Sequence, residues 1–189
     1  MVLPQTIEYI TEEEYLAMEP ESDRKHEYFE GEIFAMTGAS EKHNLIAANV
    51  IRELGTQLKK KPCRVYPGDM RLKIEATGLY TYPDVMIVCG GRRFAEPGRT
   101  DTLTNPLVII ELLSDSTENY DRGKKFQHYR TLASLREYLL ISQHQEKIEG
   151  WFRNEKGDWE FSETDAHHPV IIVKFLECEL RLDEVYDKV

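Results

Sequence analysis

Leu107-Val108-Ile109-Ile110-Glu111-Leu112-Leu113 is an apolar run of strand length that carries one carboxylate, and Tyr82-Pro83-Asp84-Val85-Met86-Ile87-Val88 repeats the pattern. Apolar residues on nearly every position read as a strand covered on both faces, central in a sheet with helices on either side. A carboxylate in such a run loses its hydration and is costly unless something compensates its charge. A bound cation is the simplest compensation, so Asp84 and Glu111 form a candidate metal pair.

Around these strands the chain alternates helix and strand signals. Thr11-Glu12-Glu13-Glu14 has the form of a capping box and predicts a short helix through about Met18. Residues 27–36 read as a hairpin around Glu30-Gly31. Ser40 is the predicted N-cap of a long helix to about Lys60, with Ile46, Ala47, Val50, Leu54 and Leu58 on one apolar stripe and His43 on that stripe in the first turn. Residues 64–74 read as one strand around Pro67-Gly68, and 90–105 as a loop rich in Gly and Arg. Residues 121 to about 133 read as a helix, 137–142 as a strand, 147–161 as a hairpin around 154–158, and 170–189 as a strand with a short terminal segment. The order predicts an α/β fold, a mixed central sheet flanked by helices with an extra N-terminal hairpin and C-terminal strands, in a single domain over 1–189.

Composition bounds the function. With 34 Asp and Glu against 24 Lys and Arg, the formal charge of −10 repels a polyanion, so contact with nucleic acid must come from local clusters. Lys59-Lys60-Lys61, Arg92-Arg93 and Arg122-Gly123-Lys124-Lys125 are the candidates, each also readable as a solvated surface run. Cys63, Cys89 and Cys178 are far apart and odd in number, which predicts free buried thiols in a reducing cytoplasm rather than a disulfide or a zinc site. No apolar stretch approaches the roughly 20 residues of a membrane span, and the start lacks a basic region followed by an apolar one, so the expectation is a soluble cytoplasmic protein. Ser114-Asp115-Ser116-Thr117 lacks the glycines of a serine nucleophile elbow, and Gly90-Gly91 lacks the spacing of a phosphate loop.

Pro83-Asp84, a gap, and Glu111-Leu112-Leu113 resemble the Pro-Asp...(Asp/Glu)-x-Lys signature of restriction-endonuclease-like PD-(D/E)XK nucleases. The likeness extends over 9–186: the hairpin around 28–33, His43, Tyr82-Pro83-Asp84-Val85, 108–114, Asp121 to Lys125 with Tyr129, and Glu137 to Ile141 resemble the Uma-type (Uma-two) family of that superfamily. The resemblance implies a Mg2+- or Mn2+-dependent endonuclease acting on DNA, with a homodimer as the expected assembly. The alternative is an inactive nuclease-fold module that binds nucleic acid or a protein partner. It further implies that Asp84, Glu111 and the Leu112 carbonyl hold the metal, and that the catalytic lysine, absent at Leu113, comes from the following helix.

At about 100° per residue, Arg122, Phe126, Tyr129 and Ala133 share a helix side with Lys125 at its edge and Lys124 nearly opposite. Lys125 is therefore the candidate cation, expected to hold or deprotonate water if desolvation lowers its pKa. The other reading is an exposed Asp121–Lys125 pair worth about 0.2–0.5 kcal/mol. Arg122 is a candidate phosphate contact. Glu27, Glu32 and Asp69 all flank strands near the acidic end, and the resemblance favours Glu32 as an auxiliary metal ligand. His43 would orient a carboxylate or a phosphate, since Mg2+ prefers oxygen.

Overall fold

The computed structural model describes residues 9–189. In α1 (Glu12–Met18) the predicted capping box forms: the Thr11 hydroxyl accepts from the Glu14 N–H, and the Glu14 carboxylate accepts from the Thr11 N–H at 2.8 Å. β1 (His26–Phe29) and β2 (Glu32–Ala35) pair antiparallel about Glu30 and Gly31, at φ 49° and 88°. Successive left-handed residues let a tight turn follow the strand twist. α2 (Glu41–Gln57) begins where the Ser40 hydroxyl accepts from the His43 N–H, and it buries the stripe of Ile46, Val50 and Leu54. Each such burial is worth about 1.5–3 kcal/mol.

Residues 64–74, expected as one strand, make two: β3 (Cys63–Pro67) and β4 (Arg71–Ile74), in different sheets. The corner at Pro67-Gly68 lies against a second corner between β5 (Leu79–Thr81) and β6 (Val85–Cys89), where a Cβ on Gly68 would meet Asp84 Cα at 3.6 Å. Asp84 thus sits at a bend just ahead of its strand rather than within it. The expected 90–105 loop includes β7 (Thr102–Leu103), which pairs parallel with β4. One sheet has the order β2-β1-β5-β4-β7.

The larger sheet is centred on β8 (Val108–Leu113), buried throughout and antiparallel to β6. It runs parallel to β9 (Glu137–Ser142), with β10 (Ile148–Arg153) and β11 (Trp159–Glu163) completing the edge. The crossover from β8 to β9 is a helix in three parts, α3 (Glu118–Tyr120), a π-helical turn (Asp121–Lys125) and α4 (Phe126–Tyr129), shorter at its end than the helix to Ala133 that the sequence predicts. β12 (Val170–Val173) and β13 (Cys178–Arg181) form a separate hairpin before α5 (Leu182–Val185). The predicted class, mixed sheets flanked by helices, is the class found.

Alternation in β8 divides the core. Val108, Ile110 and Leu112 pack with the α2 stripe and the C-terminal hairpin, whereas Ile109 and Leu113 pack with Tyr129 and Tyr138. Glu111 belongs to the second face by the same period.

The cysteine expectation fails. Cys63 and Cys89 are direct partners across β3 and β6, with Cα atoms 4.0 Å apart, and they form a disulfide, while Cys178 is free and buried. Their separation of 26 residues hides a register that only the folded sheet reveals. Cysteine usage therefore carries no argument for a reducing compartment. Among the described residues no helix is long and apolar enough to cross a membrane.

Candidate metal and catalytic centre

A parallel β8–β9 pair requires a crossover, and here its helix covers the face of β8 that carries Glu111. The Tyr138 hydroxyl donates to the Asp121 carbonyl at 3.0 Å, and Phe126 stacks on Tyr138 with ring centroids 4.7 Å apart. These contacts fix the π turn over the strand. Lys125 Nζ then lies 3.0 Å from Glu111 Oε1, 3.2 Å from Glu27 Oε1 and 3.5 Å from Asp121 Oδ1. The Tyr129 hydroxyl donates to the same Glu111 oxygen at 2.6 Å. The Asp121–Lys125 pair is thus buried, with Lys125 6% and Asp121 2% exposed, rather than an exposed helix pair.

At 100° per residue, side chains four apart drift about 40° around a helix. The wider π turn opposes that drift, so Asp121, Lys125 and Tyr129 all address the Glu111 face.

Asp84 joins from the corner ahead of β6. Its Oδ2 accepts the Leu112 N–H at 2.7 Å, its own N–H donates to Glu111 Oε2 at 3.2 Å, and His43 Nε2 lies 3.0 Å from its Oδ1. In an extended strand a residue's N–H and C=O point toward the same neighbour, so the Leu112 carbonyl is directed to the Asp84 side. The Ser40 hydroxyl donates to Gln143 Oε1 at 2.6 Å, and Gln143 Nε2 donates to the Leu113 carbonyl at 2.8 Å, which ties the start of α2 to the end of β8. Asp84, Glu111, His43, Asp121 and Lys125 line one open cleft of about 1730 Å3.

The electrostatics follow from burial and proximity. Burial raises the Glu111 pKa; Lys125 opposes the rise, while the Asp84 and Asp121 charges add to it. Burial also disfavours charge on Lys125, yet Glu111, Tyr129, Glu27 and Asp121 together hold its pKa well above the ordinary lysine value. These neighbours oppose the lowering that desolvation alone would bring and favour the ammonium form of Lys125. For Asp84, burial is outweighed by His43 and the Leu112 N–H, and its pKa falls. The His43 pKa rises because the contact with Asp84 outweighs burial.

The donor set fits a hard divalent ion. Asp84 Oδ1 and Oδ2 and Glu111 Oε2 each carry a single partner in these contacts, leaving lone-pair capacity, and oxygen is the ligand that Mg2+ prefers. Among the described residues no group of three His, Cys, Asp or Glu side chains is arranged to hold a metal, so further ligands would come from the Leu112 carbonyl and water.

Two expected residues lie elsewhere. Glu32 is exposed, because it pairs with Phe29 at the turn end of the hairpin. Glu27 shares that face one alternation further along, about 7 Å away at the strand rise. There it meets Lys125 and the Thr81 hydroxyl. Glu27 thus holds the auxiliary acidic position considered for Glu32. Arg122 points away, pairing with Glu118 at 2.8 Å and Glu149 at 2.5 Å, and is occupied by these carboxylates rather than facing the cleft. Asp69 is exposed and paired with Lys25. Asp121 and Tyr129 received no role from the sequence, although their four-residue spacing on either side of Lys125 was a usable signal.

Residues 12–184 match the model of the Uma2 family, described as "Putative restriction endonuclease". The chain is 37% identical over 150 residues to the uncharacterized protein slr1290 of Synechocystis sp., covering 79% of this chain and 77% of that one. It is 33% identical over 177 residues to the uncharacterized protein sll1609 of the same organism, covering 94% and 99% of the two chains. Its fold matches a crystal structure from Anabaena variabilis, described as "a putative nuclease belonging to DUF820", with a TM-score of 0.76 at 20% identity over 94% of this chain and 97% of that chain. That likeness shows a restriction-endonuclease-like fold, and together with the family match over most of its length it establishes that this chain belongs to the Uma2 family.

Proposed function

We propose that this protein is a Mg2+- or Mn2+-dependent endonuclease that hydrolyses phosphodiester bonds in DNA. The observation that carries the reading is the convergence of Asp84, Glu111 and Lys125 in one cleft at the end of β8. Family membership supports it.

Asp84, Glu111 and the Leu112 carbonyl would hold the ion, which supplies a Lewis acid for the phosphate and a more acidic water. His43 keeps Asp84 aimed. Lys125, whose carboxylate neighbours favour the ammonium form, would offset the Glu111 charge and stabilise charge that develops on the phosphoryl oxygens. Arg24, Lys42 and Lys124 line the same cleft and are the local cations available to phosphates against the overall charge of −10.

The test is nicking of supercoiled plasmid with Mg2+ or Mn2+. Asp84→Asn and Glu111→Gln are expected to lower the rate by about a thousandfold, the scale of several kcal/mol of lost charge stabilisation. Equal rates in the wild type and both variants would contradict the assignment.

A further inference from the structure

Phe34 has no place in the metal centre, yet it stands beside it. In the β1–β2 hairpin Tyr28 and Ile33 pack with Tyr15 and Tyr80, so the hairpin already has a packed apolar face. Alternation turns Glu27 and Phe29 of β1 and Phe34 of β2 to the other side, where all three line the cleft. Phe34 is the direct cross-strand partner of Glu27, whose carboxylate lies 3.2 Å from Lys125 Nζ. Directly opposed side chains have Cβ atoms about 5 Å apart, so an aromatic ring borders the acidic centre. That ring is 49% exposed on an edge strand. The half-buried Phe29, held edge-on to His128 with ring centroids 4.8 Å apart, continues the same face.

We propose that Phe34 stacks on an unpaired base beside the phosphate that is cut, so that the cleft takes single-stranded or locally opened DNA rather than an intact duplex. The proposal rests on the phosphodiesterase reading of the same cleft and names its substrate class.

Both the faces of the bases and the charges favour a single strand. In a duplex each base is covered by its stacked neighbours, whereas an unpaired strand offers its bases to an aromatic side chain, whatever their sequence. Among the described residues Arg24, Lys42 and Lys124 are exposed in the cleft and pair with no carboxylate, a supply of cations matched to a few phosphates. A duplex carries one charge per about 1.7 Å of its axis, twice the density of either strand, and meets the overall charge of −10 at that higher density. Negative supercoiling favours strand opening, so nicking of supercoiled plasmid is consistent with this class.

The experiment measures, by fluorescence anisotropy in Ca2+, the binding of a labelled strand of about 12 nucleotides, its duplex, and the same strand with its central bases removed. Wild type, Phe34→Ala, Phe34→Leu and Phe34→Trp are compared, with thermal unfolding and Mn2+-dependent cutting of the same probes alongside. Wild type is expected to prefer the single strand to the duplex by about tenfold or more. Phe34→Ala and Phe34→Leu should weaken strand binding by about 5- to 150-fold, the equivalent of one stacked base, and Phe34→Trp should stay within about threefold of wild type. The strand lacking its central bases should bind wild type and Phe34→Ala alike. Should Phe34→Ala fail to fold, Phe34→Leu decides. Equal affinity in wild type and Phe34→Leu, an intact strand bound no better than the baseless one, or a duplex bound as tightly as the strand overturns the proposal. Strand binding that depends on Phe34 without Mn2+-dependent cutting upholds the stacking and overturns the hydrolytic reading, whereas cutting and binding indifferent to Phe34 leave hydrolysis standing and overturn this proposal alone.

Discussion

Glu111 and Glu137 occupy adjacent parallel strands, are 2% and 3% exposed, and both hold protons more tightly than an ordinary glutamate because burial disfavours the charge. Their surroundings differ. Glu137, at the start of β9, accepts the backbone N–H groups of Phe175 at 2.6 Å and Lys174 at 3.1 Å, which anchor the chain after β12. Glu111, toward the end of β8 and on the opposite face, meets the side chains of Lys125 and Tyr129 and the Asp84 N–H, beside an open cleft. A buried carboxylate in a strand is therefore no marker of chemistry by itself. Satisfaction by fixed backbone donors makes a structural joint, whereas a second carboxylate, a captive cation and access to solvent make a site.

The largest effect expected from breaking this contrast is at Lys125. Lys125→Met leaves Glu27, Glu111 and Asp121 without their shared cation and should cost about 3–5 kcal/mol in urea unfolding without metal. Mg2+ should restore part of that loss. Failure of Mg2+ to stabilise the variant would mean that the carboxylates do not form a cation site.

The pH dependence separates the two glutamates further. A glutamate whose folded pKa is raised contributes stability that is complete below its unfolded value and is lost as pH rises through the folded one. For Glu137, with an ordinary value of 4.5 and a folded value pushed up to about 7, stability should fall across that window. The fall should be on the order of 3 kcal/mol. Glu137→Gln should remove this slope whether or not Mg2+ is present. Glu111 contributes with the same sign, but its share should vanish when Mg2+ takes the place of the proton. A Mg2+-insensitive slope in Glu137→Gln would put the two residues in one class.

Much of this architecture was legible because it rests on periodicity. The capping box, the hairpin at Glu30-Gly31, the α2 stripe with His43 in its first turn, and the apolar strand carrying Glu111 follow from local patterns, whereas Asp84 stands at the bend ahead of its strand. Strand alternation also placed Leu113 on the Glu111 face, and the cation found beside Glu111 comes from the crossover helix. Long-range register was hidden: nothing local pairs Cys63 with Cys89, divides 64–74 between sheets, or brings Glu27 rather than Glu32 to Lys125. The π turn was hidden for a different reason, since a uniform 100° helix put Arg122 on the core side. The protonation of Lys125 depends on three carboxylates from separate elements, a sum that the helix sequence alone does not contain.

Smaller effects sharpen the boundary of the site. Tyr129→Phe removes a buried donor to Glu111 and should destabilise by about 1.5–3 kcal/mol in metal-free thermal unfolding, the range for a hydrogen bond to a charged group. Glu32→Gln, at an exposed position outside the cluster, should change stability by less than about 0.5 kcal/mol and leave metal affinity unaltered.

Calorimetric titration of Mn2+ into the wild-type protein, in buffers of different ionisation enthalpy, bears most directly on the paired carboxylates. One Mn2+ per chain should bind, with protons released as Glu111 ionises and affinity rising with pH, and Asp84→Asn and Glu111→Gln should each abolish the event while remaining folded. Absence of Mn2+ binding, or binding undiminished in both variants, would contradict the account.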